Sequence, residues 1–262
     1  MRLLRIGHHT LLVVTLTTVM SACSQADPGR SPAAPSSSVA ALISTSSSTP
    51  LSPTSTLAST VLVPATTSEE AGSVSVPKIA APVIDGVLEF DEWDGAAVFP
   101  MSDGASISLM YSDGSLYLAV AGDEIGSVNV LIGSEDDVWI LHSSAALGSA
   151  LYEKGTERWE LVHGFSWCCR SRRDDEARLV LLEEEGWQAN IGFTGDPGTV
   201  EYQIAVPWQG ASLAVSSIRD QEDMGFWPAD LTEEARLELV GVPPEVRAYD
   251  IALWPVLTPA GG

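Results

Sequence analysis

Positive charge is scarce in this chain: 13 Lys and Arg residues stand against 35 Asp and Glu. Only Asp27 among the acids, and Arg2, Arg5 and Arg30 among the bases, precede residue 67. The remainder therefore carries 34 acids against 10 bases, a formal charge of about −24. A field of that sign repels phosphate backbones and anionic headgroups, which excludes nucleic acid as a partner and favours a soluble monomer. Lysine is nearly absent from that part, with only Lys78 and Lys154. Cysteine is almost as rare, at three residues. Cys23, Cys168 and Cys169 make neither a disulfide framework nor a second Cys/His pair at zinc spacing. Apolar runs long enough to span a bilayer, about 18 residues, are missing. Aromatic residues are missing from the whole stretch 24–76.

The longest apolar stretch, Leu11 to Met20, follows Arg2 and Arg5 and ends in Ser21-Ala22-Cys23. A charged n-region, a short h-region and small residues at a cleavage point make a signal peptide rather than a membrane helix. Met20-Ser21-Ala22-Cys23 resembles the lipobox of bacterial lipoproteins, with Met20 where Leu is commoner. That resemblance implies a diacylglyceryl group on Cys23, two acyl chains being what stable anchoring needs. Residues 24–76 are dominated by Ser, Thr, Pro and Ala and cannot bury enough apolar area to offset their chain entropy, so they read as a disordered linker. The expected organisation is residues 1–23 as signal and lipobox, 24–76 as linker and 77–262 as one acidic folded domain on the outer face of a cell membrane.

Within that domain the pattern is period two. Ala105, Ile107, Leu109 and Tyr111 share one face of a strand, and Ser112-Asp113-Gly114-Ser115 reads as a hairpin turn into Leu116, Leu118 and Val120. Further strands are expected near 127–132, 136–142, 158–162, 186–193 and 199–206. Asp174-Asp175-Glu176 is placed to start a helix running toward Gly186, and Thr232 followed by Glu233 and Glu234 to start another. Many short strands with closely spaced turns predict a mainly β fold, a two-sheet antiparallel β-sandwich with one or two short helices.

The start of the domain, Ala81-Pro82-Val83-Ile84-Asp85-Gly86-Val87-Leu88-Glu89-Phe90-Asp91-Glu92-Trp93, is similar to the opening segment of family 9 carbohydrate-binding modules and the wider DOMON-like sandwich group. The hairpin at 105–121 continues the similarity, so its specific part covers about 40 residues. The resemblance implies a sandwich in which Asp-Gly makes a tight turn and Trp93 seals one end of the core. As ligands it implies a sugar or, among the DOMON relatives, haem held by Met101 or Met110 with His142 or His163.

Eight tryptophans supply both core volume and possible sugar platforms. Trp93, Trp187 and Trp208 read as core, whereas Trp139, in a run apolar on both faces, has no assignable side and stands with Trp167, Phe165, Arg170 and His163 as a candidate ligand-binding residue. The segment His163-Gly164-Phe165-Ser166-Trp167-Cys168-Cys169-Arg170 gathers aromatics and positive charge between predicted elements. It is a candidate ligand loop in which Trp167 and Phe165 stack on a ring and Arg170 pairs with a hydroxyl or carboxylate. Against this stands the reading that its arginines neutralise Asp174, Asp175 and Glu176. Cys168 and Cys169 admit buried thiols, a vicinal disulfide or a soft-metal site with His163. Asp85, Asp91 and Glu92 are candidate Ca²⁺ ligands, although their order does not match the EF-hand and turn formation explains them equally.

For catalysis the sequence offers His142-Ser143-Ser144 but no Gly-x-Ser-x-Gly elbow, and the expectation is a non-catalytic module. A carbohydrate-binding lipoprotein is the expected identity, with a haem or redox module, or a protein-interaction domain of a surface complex, as alternatives. No cofactor is expected, Ca²⁺ being the one ion the acids leave open. Replacing Cys23 by Ala is expected to move the chain from the membrane fraction to the soluble fraction on cell fractionation; firm retention would contradict the anchor.

Overall fold

The computed structural model describes residues 72–89, 91–169, 174–192, 198–219, 223–241 and 244–261. Cys23 and Arg170 lie outside the described residues, as do the segment expected to be a signal and nearly all of the expected linker. In chain order the strands are β1 (Ser73–Val76), β2 (Ala97–Pro100), β3 (Ser106–Ser112), β4 (Ser115–Gly122), β5 (Ile125–Gly133), β6 (Asp137–Ser143), β7 (Leu147–Lys154) and β8 (Trp159–Trp167). Helix α1 (Asp175–Glu185) follows, then β9 (Trp187–Gly192), β10 (Gly198–Ile204), β11 (Ser212–Arg219) and β12 (Met224–Trp227). The chain closes with α2 (Glu233–Leu237), β13 (Val246–Arg247) and β14 (Val256–Pro259).

These strands form two sheets, as the alternation predicts. One has five strands in the order β2-β3-β4-β10-β9. The other has nine, in the order β1-β14-β11-β5-β6-β7-β8-β13 with β12 also on β11. Pairing is antiparallel apart from β1 with β14. The β3–β4 hairpin turns at Asp113 and Gly114, with φ of 47° and 87°, the left-handed pair that matches strand twist. The linker boundary needs correcting, because residues 73–76 pair with β14 and Val76 is buried. Ser-Val-Ser-Val continues the linker's composition while already alternating, so composition hid a strand.

The main core lies between the sheets. Ile107, Leu109, Leu118, Val200 and Tyr202 come from one side and Val128, Val130, Leu141 and Val215 from the other. Trp187 and Trp208 belong to it as expected, and Trp208 donates Nε1–H to the Gly114 carbonyl in the β3–β4 turn. Both helices start where their acidic first turns predict, α2 with a side-chain cap and α1 without one. The Thr232 hydroxyl accepts from the Ala235 N–H, and α1 ends on left-handed Gly186, whose N–H returns to the Leu182 carbonyl. At the end of α1, Glu185 Oε2 accepts from the Ser149 hydroxyl at 2.5 Å and from Trp187 Nε1 at 3.4 Å, which offsets its unfavourable place in the macrodipole.

Neither sheet leaves its outer face bare. On the five-stranded sheet Met110, Tyr117 and Ala119 pack under Trp93, Ile79, Ile84 and Leu88 from the segment before β2. On the nine-stranded sheet Leu131, Val138, Ile140, Tyr152 and Ala214 pack under Leu231, Leu239, Tyr249 and Trp254 from the segment after β12.

The covering segment 79–96 is held by one carboxylate. Glu201, 0% exposed on β10, accepts from the Asp85 and Gly86 backbone N–H groups at 3.1 and 2.7 Å and from Trp93 Nε1 at 2.9 Å. Gly86 sits at φ +85°, and a Cβ there would come within 2.9 Å of the Gly192 nitrogen, so the turn needs glycine for both conformation and approach. Thr199 donates its hydroxyl to the Gly86 carbonyl, while Arg178 Nη1 and Asn190 Nδ2 reach the Ile84 carbonyl at 3.2 and 3.4 Å.

Burial pushes the Glu201 carboxyl up to about 7, against the hydrogen bonds that favour its charged form. A carboxyl raised in the fold binds its proton more tightly than in the unfolded chain. Its contribution to stability is therefore complete below the unfolded value of 4.5 and falls as pH rises through about 7. Urea midpoints of the wild type and Glu201→Gln, measured at about pH 5 and about pH 8, are expected to show the stability difference between the two proteins shifting against the wild type as pH rises, by on the order of 3 kcal/mol. Equal slopes would remove Glu201 as its source.

Candidate functional site

The aromatic segment expected to be a loop is a strand. β8 runs to Trp167, five residues beyond the expected end at 162, because Ser166 and Trp167 remain paired with Ser149 and Gly148 of β7. Irregular register between Ser149 and Tyr152 interrupts the period-two pattern, so alternation alone could not carry the strand through His163 and Gly164.

Phe165 and Trp167 lie on the outer face of the nine-stranded sheet and stack on each other, with ring centroids 5.1 Å apart and planes 25° from parallel. His142 of β6 meets both edge-on, at 5.7 Å from Phe165 and 5.4 Å from Trp167. Gly148 stands between them on β7. A Cβ there would lie 3.0 Å from the Trp167 ring and 3.2 Å from the Phe165 ring, so the strand glycine is what lets the rings settle against the sheet. Trp167 remains 56% exposed.

A polar row continues from the imidazole across the sheet. His142, Asn129 and Ser216 are successive cross-strand neighbours on β6, β5 and β11. Asn129 Nδ2 donates to Ser216 Oγ at 3.2 Å and to the Leu239 carbonyl at 3.4 Å, and Ser216 donates to the same carbonyl at 2.8 Å. Because a carbonyl can only accept, these contacts orient the Asn129 amide and turn its Oδ1 toward His142 Nδ1 at 2.7 Å. Nδ1 therefore carries the proton and Nε2 the lone pair. Burial lowers the imidazole to about 4, so this ring is neutral and a hydrogen-bond acceptor at Nε2 near neutral pH.

The other expected residues are dispersed. His163 is exposed on β8 opposite Leu151 and takes no part in the His142 cluster. Trp139 packs against the core between the sheets, which removes it as a platform. Asp85 Oδ1 accepts from the Val87 N–H in a local turn, and among the described residues no three His, Cys, Asp or Glu side chains gather around a point fit for a metal. Met101 lies in the inter-sheet core and Met110 under Trp93, on opposite faces of the five-stranded sheet, and neither approaches His142. Ser143 follows His142 on the same strand and so faces the opposite way, fully buried, which breaks the catalytic pair that sequence adjacency suggests.

Cys168 and Cys169 are joined in a vicinal disulfide. Cys168 is exposed and lines a groove of about 830 Å³ between the end of β8 and α1, with Ser166, Asp174, Glu176, Val180 and Glu184 among its other walls. Asn129, Ser216 and Gly148 had no local signal to mark them, since their meeting exists only once the register of four strands is set.

Comparison with protein-family models, curated proteins and solved structures gives no match for this chain. The imidazole assignment is open to direct measurement. Nitrogen-detected NMR is expected to show the His142 Nδ1–H tautomer persisting down to about pH 5 and titrating near 4. A midpoint near the ordinary histidine value, or an Nε2–H tautomer, would contradict it.

Proposed function

We propose that this chain is an exported, lipid-anchored module whose folded domain binds a carbohydrate without chemistry, with Trp167 as the platform. The observation that carries the reading is the Phe165–Trp167 stack, pre-set on a strand beside neutral His142, with more than half of the indole left open. Two backing rings and a glycine seat fix the indole plane, so little rotamer freedom remains to be lost when a sugar ring lies on it. A pyranose presents C–H bonds to the indole face and hydroxyl donors at its edge, and the neutral His142 ring beside Trp167 keeps Nε2 as an acceptor. The similarity of the 81–93 segment to family 9 carbohydrate-binding modules supports the same reading, as does a surface whose charge turns away polyanions. The lipobox and the Ser/Thr/Pro/Ala linker fit a module held off a membrane toward extracellular polymers.

The test is glycan-array binding of the full chain followed by titration of the best ligand against Trp167→Ala and His142→Ala. Stacking energies of about 1–1.5 kcal/mol beyond area burial predict at least about a tenfold loss for Trp167→Ala. A smaller loss is expected for His142→Ala. Undiminished binding by Trp167→Ala, or no binding to any glycan, would remove this function.

A further inference from the structure

We propose that Cys168–Cys169 is an accessible thiol-exchange site, a disulfide that an extracytoplasmic dithiol reduces through attack at Cys168 without unfolding the domain. The site is independent of any ligand held at Trp167. Two adjacent cysteines close an eight-membered ring around their own peptide bond, with Cα atoms only 3.8 Å apart, below the usual span of about 4.4–6.8 Å. Disulfides forced out of their preferred span, and those open to solvent, are the labile ones.

The two sulfurs are not equivalent. Cys169 is 8% exposed and belongs to the core between the sheets, whereas Cys168 is exposed on the wall of the groove, its Sγ 3.8 Å from the Ala177 carbonyl of α1. The groove thus leaves Cys168 open and shields Cys169, and the carboxylates in its walls, Asp174, Glu176 and Glu184 among them, favour a reductant that carries no negative charge beyond the attacking thiolate. Around the ring the backbone is held independently of the sulfurs. The Cys168 N–H donates to the Leu147 carbonyl and the Leu147 N–H donates to the Cys169 carbonyl, both at 2.9 Å. Opening the ring therefore asks only side chains to move, and the pair stays placed to close again.

In the exchange, a thiolate of the reductant forms a bond to Cys168 Sγ. The Sγ–Sγ bond breaks, and its electron pair passes to Cys169, which takes up a proton. The second thiolate of the reductant then attacks its own sulfur in the mixed disulfide and releases Cys168, which is protonated in turn. The reductant leaves as a disulfide, oxidised by two electrons, and the protein gains two thiols.

Differential alkylation of the full chain with peptide mapping tests this, because mapping counts Cys23 separately. Before reduction the peptide bearing Cys168 and Cys169 is expected to carry no free thiol. After a small neutral dithiol in native buffer it is expected to carry two, with the circular dichroism spectrum unchanged. A brief pulse of alkylating reagent should then label Cys168 at least about tenfold faster than Cys169, following exposure. The same order is expected when Cys169→Ser and Cys168→Ser leave one thiol each. Two free thiols in the untreated chain, reduction only in denaturant, or labelling of Cys169 first or at an equal rate would each overturn the proposal.

Discussion

A sheet that is apolar on both faces cannot stop at two layers, and the architecture of this domain follows from that constraint. Strand β5 sends Val128, Val130 and Ile132 into the space between the sheets and Leu131 to the opposite side, where Asn129 also points. Burying one face releases roughly 25 cal/mol per Å² of apolar surface, but the other face remains in water unless chain is laid over it. The segment after β12 supplies Leu231, Leu239, Tyr249 and Trp254 for that purpose, and the segment before β2 does the same for the five-stranded sheet. Neither covering segment has much regular structure of its own, so polar anchors hold them. Glu201 takes three N–H donors from the first. Arg247 reaches the carbonyls of Leu237, Glu238 and Val240 at the end of α2 in the second.

The candidate site lies where that outer covering thins. His142, Phe165 and Trp167 continue the same face of the nine-stranded sheet toward β8, whose pairing with β13 is confined to Val246 with Glu160 and Arg247 with Trp159. A small residue at Gly148 and a polar row at Asn129 and Ser216 interrupt the apolar surface there. Their effect is to seat two rings and fix one tautomer rather than to enlarge the core. Leu239 belongs to both systems, since its side chain covers the sheet while its carbonyl orients Asn129. Leu239 thus links the packing of the second layer to the proton position on His142.

This division explains what could be read in the sequence. The strands at 106–112, 115–122 and 198–204 were legible because one face of each alternates into the inter-sheet core, and both helices because acids in the first turn, with Thr232 before the second, mark their starts. β11 and β7 were not, because Ser212-Leu213-Ala214-Val215-Ser216 and Leu147-Gly148-Ser149-Ala150-Leu151 are buried on both faces with small residues that mask a period. Trp93 was legible as structural but its partner was not, since Glu201 is one acid among 34 until β10 brings it under the turn. The aromatic segment was noticed for its composition and misplaced as a loop, while Trp139, beside it in that reading, faces the core instead. His142 was noticed for its neighbours Ser143 and Ser144, and the residues that define its chemistry are 13 and 74 positions away.

Two titrating groups, Glu201 beneath the 79–96 segment and His142 on the outer face of the nine-stranded sheet, act on stability with opposite sign. Glu201 is raised to about 7, so its support is greatest in acid and declines as pH rises from 4.5. His142 is lowered to about 4, so the fold prefers it neutral; its support is complete above the ordinary value of 6.5 and is lost as pH falls through 4. Between those limits the two slopes oppose each other. Raising the pH weakens the attachment of the 79–96 segment, whereas lowering it weakens the face that carries Trp167.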